Sequence, residues 1–374
     1  MLQHEACAYY TCLFWETASG WDSIQFDWCT DYVRNGRLIM PRAAFHSRVV
    51  KQVYGADGRY FYVPRADAGF LYYLSKRLEK RGLTPTNTGY LRRLWAEDPV
   101  RAEQGFLSVW RTDDVAGMKQ VLEDPEAQGA SDAEQRLLRR LHEQRPRQWQ
   151  RSIWDLLRRA RRVLQPTGLV VAVLGPDGVG KSTVIEGIMA QVASGFRRSR
   201  YFHLRPGLGR KSAGQSAPNM DPHRLAPYGP LLSAAKLAYL IWDYVAGNLV
   251  KVWPAKVRST LIVFDRYYHD LIVDPRRYRY GGPLWLAQLC AHVVPKPDIM
   301  LVLDAPADII LGRKAEISAE ECHRQVAEYR RLAARHSFVF LIDASAPPDA
   351  VVRSANDAIL AVMAKRTAKR FGRR

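Results

Sequence analysis

The chain has 374 residues, 47% of them hydrophobic and 11% aromatic, which excludes a disordered chain and leaves more length than one core usually fills. Its 56 Lys+Arg against 37 Asp+Glu give a formal net charge of +19, so the expected partner is an anion: nucleotide, nucleic acid or an acidic membrane surface. The five cysteines, Cys7, Cys12, Cys29, Cys290 and Cys322, are odd in number and form no Cys-x-x-Cys pair, which speaks against a disulfide framework or a zinc site and for reduced thiols in a cytoplasmic protein.

MLQHEACAYYTCLFWE at the start has no basic region followed by an apolar core, so no signal peptide is expected. QFDWCTDYV (25–33) and GRYFYVPR (58–65) gather β-formers, and DAGFLYYLSKRLEKRG (67–82) has helical apolar spacing. TNTGYLRRLWAEDPVRAEQGFLSVW (86–110) and DDVAGMKQVLED (113–124) read as helices with Thr, Asp and Gly as caps. Residues 1–133 are therefore expected to form a smaller α+β or mostly helical domain.

An arginine-rich helical linker is expected over 134–166. Leu156, Leu157, Ala160, Val163 and Leu164 fall on one helical face, with Arg158, Arg159, Arg161 and Arg162 largely on the other. Such a face suits either an anionic surface, lipid or nucleic acid, or packing on a neighbouring core with the arginines solvated.

From Leu169 the pattern becomes short apolar strands alternating with helices: LVVAVLG (169–175), RYFHLR (200–205), TLIVFD (260–265), DIMLVLD (298–304) and FVFLID (338–343). Continuous apolar runs of this length suit buried parallel strands, and the spacings leave room for crossover helices, so a doubly wound α/β sheet is expected over 167–365, followed by a basic tail at 366–374. The apolar stretch 230–254 contains Lys236, Asp243 and Lys251, costly groups in a bilayer, so it is expected to be a buried or groove-lining helix rather than a membrane span. In open parallel sheets ligands lie at the carboxyl ends of the strands, and the polar residues there carry the chemistry.

GPDGVGKST (175–183) meets Gly-x-x-x-x-Gly-Lys-[Ser/Thr] between a strand and a helix. Gly175, Gly178 and Gly180 let the backbone curl so that the N–H groups from Asp177 and Val179 through Thr183 point at phosphate, and the helix that follows offers its positive end. Lys181 is expected on the β and γ phosphates of ATP and Ser182 on magnesium. Asp177 places a carboxylate inside an anion site, which suggests a second task such as holding an acceptor hydroxyl; an outward-facing turn residue is the plainer alternative.

Asp265 stands where a carboxylate organises magnesium and its waters, and Arg266 beside it is placed to span donor and acceptor phosphates. Asp274, Arg276, Arg277 and Arg279 follow as a basic segment, suited to an anionic acceptor or equally to a solvated loop. Arg205 ends the second strand near an acceptor phosphate, while His203 is expected to be packed in the strand. Arg313 and Lys314 read either as a phosphate-covering lid or as cations at a helix C-terminus, and Ser318 with Glu321 forms a capping box. The segment IDASAPPDA after the last strand is expected near the nucleotide base.

With these residues in view, 165–365 resembles the thymidylate kinase family of P-loop nucleoside monophosphate kinases. GPDGVGKST is similar to that family's phosphate loop, in which the acidic residue, here Asp177, binds the acceptor sugar; HLRPG (203–207) is similar to its Arg-x-Pro-Gly-type segment. DRYY (265–268) matches its Asp-Arg-Tyr/His signature, and LVLDAPADIILGRK (301–314) its strand, Asp-x-Pro and lid approach. The resemblance implies a five-stranded parallel sheet in order 2-3-1-4-5 and transfer of the ATP γ-phosphoryl to a nucleoside monophosphate, with dTMP first in line. It also implies catalytic roles for Lys181, Asp265, Arg266 and Arg313, an acceptor side of Asp177, Arg205 and Tyr267, and magnesium on Ser182 and Asp265.

Departures from the family pattern are the very short lid and the long polar segment 206–230. The alternatives are a kinase of a sugar or other small acceptor, and a nucleotide-binding switch that docks on anionic surfaces through its basic segments; a homodimer is the candidate assembly. SIQFDWCTDYV (23–33) faintly resembles a late strand of a nucleotidyltransferase-like domain, with Asp27 as its acidic residue. The Gly-Ser and Asp-x-Asp that such a domain needs do not precede it, so the module is degenerate or a preceding segment is missing.

Overall fold

The structure, a computed structural model, describes residues 2–3, 10–17, 20–27, 31–41, 43–44, 49–54, 59–80, 82–208, 226–314 and 317–370. Its contacts divide the chain into two units, 28–160 and 1–27 with 161–374.

In chain order, β1 (Leu2–Gln3), β2 (Tyr10–Thr17) and β3 (Gly20–Asp27) form an antiparallel sheet, β2 pairing with β3 from Tyr10–Asp27 to Thr17–Gly20. The sheet belongs to the phosphate-loop unit, where Phe14 packs against the apolar cluster of the large sheet. The strand that carries Asp27 is therefore part of that unit.

Unit 28–160 begins with the hairpin β4 (Tyr32–Arg34) and β5 (Arg37–Met40). Asn35 and Gly36 turn it with φ of 50° and 76°, the positive values that a tight two-residue hairpin turn needs. A second hairpin, β6 (Val49–Tyr54) and β7 (Arg59–Pro64), leads to helices α1 (Ala66–Lys80), α2 (Pro85–Glu97), α3 (Pro99–Leu107), α4 (Asp113–Glu123) and α5 (Ala130–Gln144). Phe70, Leu74, Leu78, Leu91, Phe106, Met118, Leu137 and Leu141 make its core, and the Trp110 indole donates to the Leu137 carbonyl at 2.8 Å. Helix α6 (Trp149–Leu164) spans the division at 160/161; Leu156, Leu157, Val163 and Leu164 on it are exposed.

The large sheet contains β8 (Leu169–Leu174), β9 (Arg198–His203), β10 (Thr260–Asp265), β11 (Ile299–Asp304) and β12 (Val339–Asp343), all parallel. In whole-chain numbering the order is β12-β11-β8-β10-β9; counted from Leu169 and read from the β9 edge it runs second, third, first, fourth, fifth. The five strands sit within two residues of the expected positions at either end. β9 differs in character: like β12 it lies at an edge of the sheet, and its side chains are largely exposed.

β8 is buried throughout and feeds both faces. Leu169, Val171 and Val173 pack with α7 (Lys181–Gln191) and α14 (Pro348–Arg370), whereas Val170, Ala172 and Leu174 pack with α8 (Pro230–Gly247) and the aromatic residues after β10. Burying each such side chain is worth roughly 2 kcal/mol, which makes this strand the keel of the unit.

Helix α8 continues through a π-helical turn (Asn248–Val252) into α9 (Trp253–Val257). Its polar residues have local tasks. Asp243, fully buried, accepts from the backbone N–H of Gly207 at 3.2 Å and Leu208 at 2.7 Å, and Lys251 Nζ donates to the Pro206 carbonyl at 3.0 Å. Gly247, one turn from each, leaves room for Pro206, since a Cβ there would lie 2.5 Å from the proline ring. No helix among the described residues is long and apolar enough to cross a membrane. Residues 209–225 of the expected polar insertion, and 371–374 of the basic tail, lie outside the described residues.

Candidate active site

β8 stops at Leu174 and the loop curls at once: Gly175, Gly178 and Gly180 have φ of 147°, 86° and 103°, conformations closed to most side chains. A Cβ on Gly178 would also approach that of Lys314 to 2.9 Å, so the loop and the segment after α12 (Ala307–Arg313) touch. α7 then starts at Lys181 with no side-chain cap, which leaves its first N–H groups to a ligand. Ser182 and Thr183 are exposed in this first turn.

Lys181 bends back over the loop, its Nζ 2.9 Å from the Gly175 carbonyl, 2.8 Å from that of Pro176 and 3.3 Å from Asp177 Oδ1. Burial, and next the positive charge of Arg266, pull its pKa down to about 8. Asp177 does not face outward. It takes hydrogen bonds from Arg266 Nη2 and Arg277 Nη1 besides the Lys181 contact. Burial alone would raise its pKa, but Lys181, Arg266 and Arg277 outweigh it and hold the carboxyl well below the usual carboxylate range.

Arg266 owes its direction to its backbone. At φ 70° it leaves β10 in the left-handed region, with its N–H on the Val173 carbonyl at 2.9 Å, and the side chain turns under the phosphate loop. Its Nη1 donates to Asp270 Oδ2 at 2.8 Å. Asp270 is fully buried in the short helix α10 (Tyr268–Val273) and also accepts from Tyr278 Oη at 2.8 Å and from Tyr329 Oη. Despite complete burial it is held anionic by Arg266 and the two phenols. Sequence reasoning missed Asp270; a carboxylate one helical turn after the arginine was the available signal. It left Arg277 open between an anion site and a solvated loop, and the structure brings Arg277 to Asp177.

Asp265 closes β10. One carboxylate oxygen accepts from Tyr201 Oη at 3.1 Å and lies 3.2 Å from His203 Nδ1; the other, Oδ1, is buried with no hydrogen-bond partner among the described residues. Burial raises and the contact with His203 lowers its pKa, with a net fall that keeps it ionised. Burial, and next the Asp265 carboxylate that its hydroxyl meets, push Tyr201 up to about 12. An ionised, inward-facing oxygen beside a phosphate loop fits a hard cation or its water. His203 corrects the expectation of a packed strand residue: β9 is at the edge, so its ring is exposed and meets Asp265.

The remaining expected residues separate. Arg313 Nη1 donates to the Ala344 carbonyl at 3.0 Å and lies 3.5 Å from that of Val179, so it reaches the loop. It borders a cavity of about 240 Å3 with Thr183, Ala346 and Val351, which joins the segment after β12 to the phosphate loop. Ser318 Oγ accepts from the Glu321 N–H at 3.3 Å and caps α13 (Ala319–Arg335). Arg205 lies 3.5 Å from Asp243 and 4.9 Å over the Tyr239 ring. Among the described contacts it does not join the Asp177 cluster. Tyr267 is not brought to this site. It is 4% exposed, sits among Tyr244, Phe264 and His269, and its hydroxyl donates to the Pro295 carbonyl, because the apolar interior on that face claims the ring.

A five-stranded parallel sheet, a Gly-x-x-x-x-Gly-Lys-Ser loop after its central strand and an acidic residue closing the adjacent strand define a P-loop nucleotide-binding fold. No protein-family profile matches the chain. It is 25% identical over 221 residues, 54% of this chain and 88% of the other, to thymidylate kinase from Xanthomonas campestris pv. campestris. Over the same span it is 27% identical to that of Xanthomonas euvesicatoria pv. vesicatoria. To thymidylate kinase from Pseudomonas savastanoi pv. phaseolicola it is 30% identical over 158 residues, 40% of this chain and 70% of the other. The chain belongs to the thymidylate kinase family.

Proposed function

We propose that this protein is an ATP- and magnesium-dependent kinase whose acceptor is a nucleoside monophosphate, dTMP first among them. The observation that carries this reading is Asp177 inside the phosphate loop, held by Lys181, Arg266 and Arg277. Three cations around one loop suit two phosphate chains meeting end to end.

In this reading the loop N–H groups and Lys181 hold the β and γ phosphates, and the cavity beside Arg313 takes the base and ribose of ATP. Arg266, braced by Asp270, stands between donor and acceptor and offsets the charge that moves during transfer. Asp177 and Arg277 face the acceptor, with Arg205 further out. Ser182 and Asp265 would hold magnesium, which supplies charge neutralisation on the β and γ oxygens. A domain of residues 167–365 would carry the reaction, in the cytoplasm, with residues 28–160 as an accessory.

The sugar-kinase alternative is weaker on a specific point. An alcohol acceptor gains from a carboxylate base of near-neutral pKa, and both Asp177 and Asp265 are held below the ordinary value. A monophosphate oxygen is already anionic and needs no such base. The test is ADP formation from ATP and magnesium against a panel of nucleoside monophosphates, sugars and sugar phosphates. Strong stimulation by dTMP upholds the reading. Stimulation by a sugar alone would replace the acceptor, and ATP binding without turnover across the panel would favour the non-catalytic switch.

A further inference from the structure

A second cavity, about 290 Å3, opens among α10, α11 (Leu284–Cys290) and α13. Lys296 in its lining precedes β11, and His336 and Phe338 precede β12. It therefore lies at the amino ends of parallel strands, opposite to the carboxyl end of β8 where the phosphate loop begins.

The lining has two characters. Ile272, Leu332 and Phe338 supply a flat apolar wall, while Lys296, Arg331 and Arg335 supply positive charge against a single carboxylate, Glu328, which pairs with Arg331. Three imidazoles complete it. His292 turns Nδ1 to the Gln288 and Leu289 carbonyls at 3.2 Å, which directs Nε2 elsewhere. His336 lies 5.9 Å from His269, ring centre to ring centre, and 5.3 Å from Phe338. His269 is only 4% exposed, and its Nδ1 is buried with no hydrogen-bond partner among the described residues. Burial first, then His336 and Lys296, pull the His269 pKa down to about 4, so the ring is neutral at physiological pH. The cationic side chains of the lining disfavour a bound metal ion and favour an anion.

We propose that this cavity is a second ligand site, for a small organic anion with a flat apolar body, of the class of an aromatic carboxylate or an aryl phosphate. The ring lies against Phe338 and Leu332, and the anion meets Lys296 and Arg335. Its volume is at the lower end for ligand pockets, which restricts the ligand to one or two rings. The site is one residue removed from the phosphate-loop cluster: His269 lines the cavity, and Asp270 beside it holds Arg266 at 2.8 Å. Occupancy thereby bears on the helix that braces Arg266. Only that coupling rests on the kinase reading; binding itself does not.

The experiment titrates the full chain with phenyl phosphate, benzoate and, as a neutral control, benzyl alcohol, by calorimetry and by histidine ring signals in NMR. The same titrations are run on Lys296→Ala, Arg335→Ala and Lys181→Ala. The expected result is saturable binding of one or both anions, a shifted His269 signal and no binding of the alcohol. Loss of either cavity cation should weaken binding about tenfold, the size of one charge-assisted contact. Lys181→Ala should leave it intact. The relative affinities of the two anions decide between carboxylate and phosphate. Binding lost in Lys181→Ala but kept in the cavity variants would move the site to the phosphate loop and overturn the proposal, as would equal binding of the alcohol or no saturation by either anion.

Discussion

Arg266 Nη2 donates to Asp177 Oδ1, which ties the residue after β10 to the phosphate loop 89 positions earlier in the chain. The arginine is itself held from the other side by Asp270. One guanidinium thus fixes the spacing between the loop and the adjacent strand end.

That double hold requires a fork. Lysine keeps the charge of Arg266 but has one nitrogen and cannot reach Asp177 and Asp270 together. Arg266→Lys is expected to lower kcat roughly 100-fold, the size of one misplaced charge stabiliser, with little change in the KM for ATP. Initial-rate kinetics decide it, and a kcat within threefold of wild type, roughly the noise of a neutral change, would remove Arg266 from the reaction.

Asp270 is a matter of stability first. Asp270→Asn leaves the buried Arg266 with Asp177 as its remaining charged partner among those described, a change worth on the order of 3 kcal/mol. For a unit of this size the Tm should fall by roughly 6–12 °C in thermal denaturation. An unchanged Tm would mean that the Tyr278 and Tyr329 hydroxyls hold the asparagine equally well.

Asp177→Ala tests the acceptor role. The loop backbone and Lys181 remain, so ATP binding should change less than about threefold, while the KM for the acceptor rises about tenfold or more. Parallel loss of both would make the carboxylate a brace of the loop alone.

Lys181 carries a pH dependence with a defined sign. In the folded chain its amine is cationic below about 8 and neutral above. A bound phosphate favours the cation, so nucleotide affinity should fall as pH rises through 8, and binding at that pH should take up protons. Calorimetric heats in buffers of different ionisation enthalpy measure the uptake. Since the unfolded amine keeps its proton up to 10.5, the unfolded state binds more protons between about 8 and 10.5, and stability gains from this group over that window. Both effects should vanish in Lys181→Met, and uptake that persists there belongs to another group.

Asp265→Asn removes the ionised oxygen that suits a cation. The magnesium concentration for half-maximal rate should rise about tenfold or more, while metal-free nucleotide binding, followed by fluorescence of a labelled analogue, stays near wild type. An unaltered magnesium requirement would leave Asp265 as the partner of Tyr201 and His203 only.

What the sequence determined by itself is local. Short apolar runs predicted the strands, most directly β8, β10 and β11, which are buried on both faces and so continuously apolar, and the phosphate loop could be read because its glycines, lysine and helix start are contiguous. Asp265 and Arg266 were legible for the same reason, as neighbours at a strand end. Tertiary structure decided the rest. Arg277 and Asp177 meet across 100 positions, and no periodicity relates them. On the six residues of α10, which side chain faces Arg266 and which faces a cavity depends on what packs around the helix. Tyr267 was drawn into the interior and His203 left at an exposed edge, because burial is settled by which strands and helices are neighbours, and neighbours in space are chosen by the whole chain.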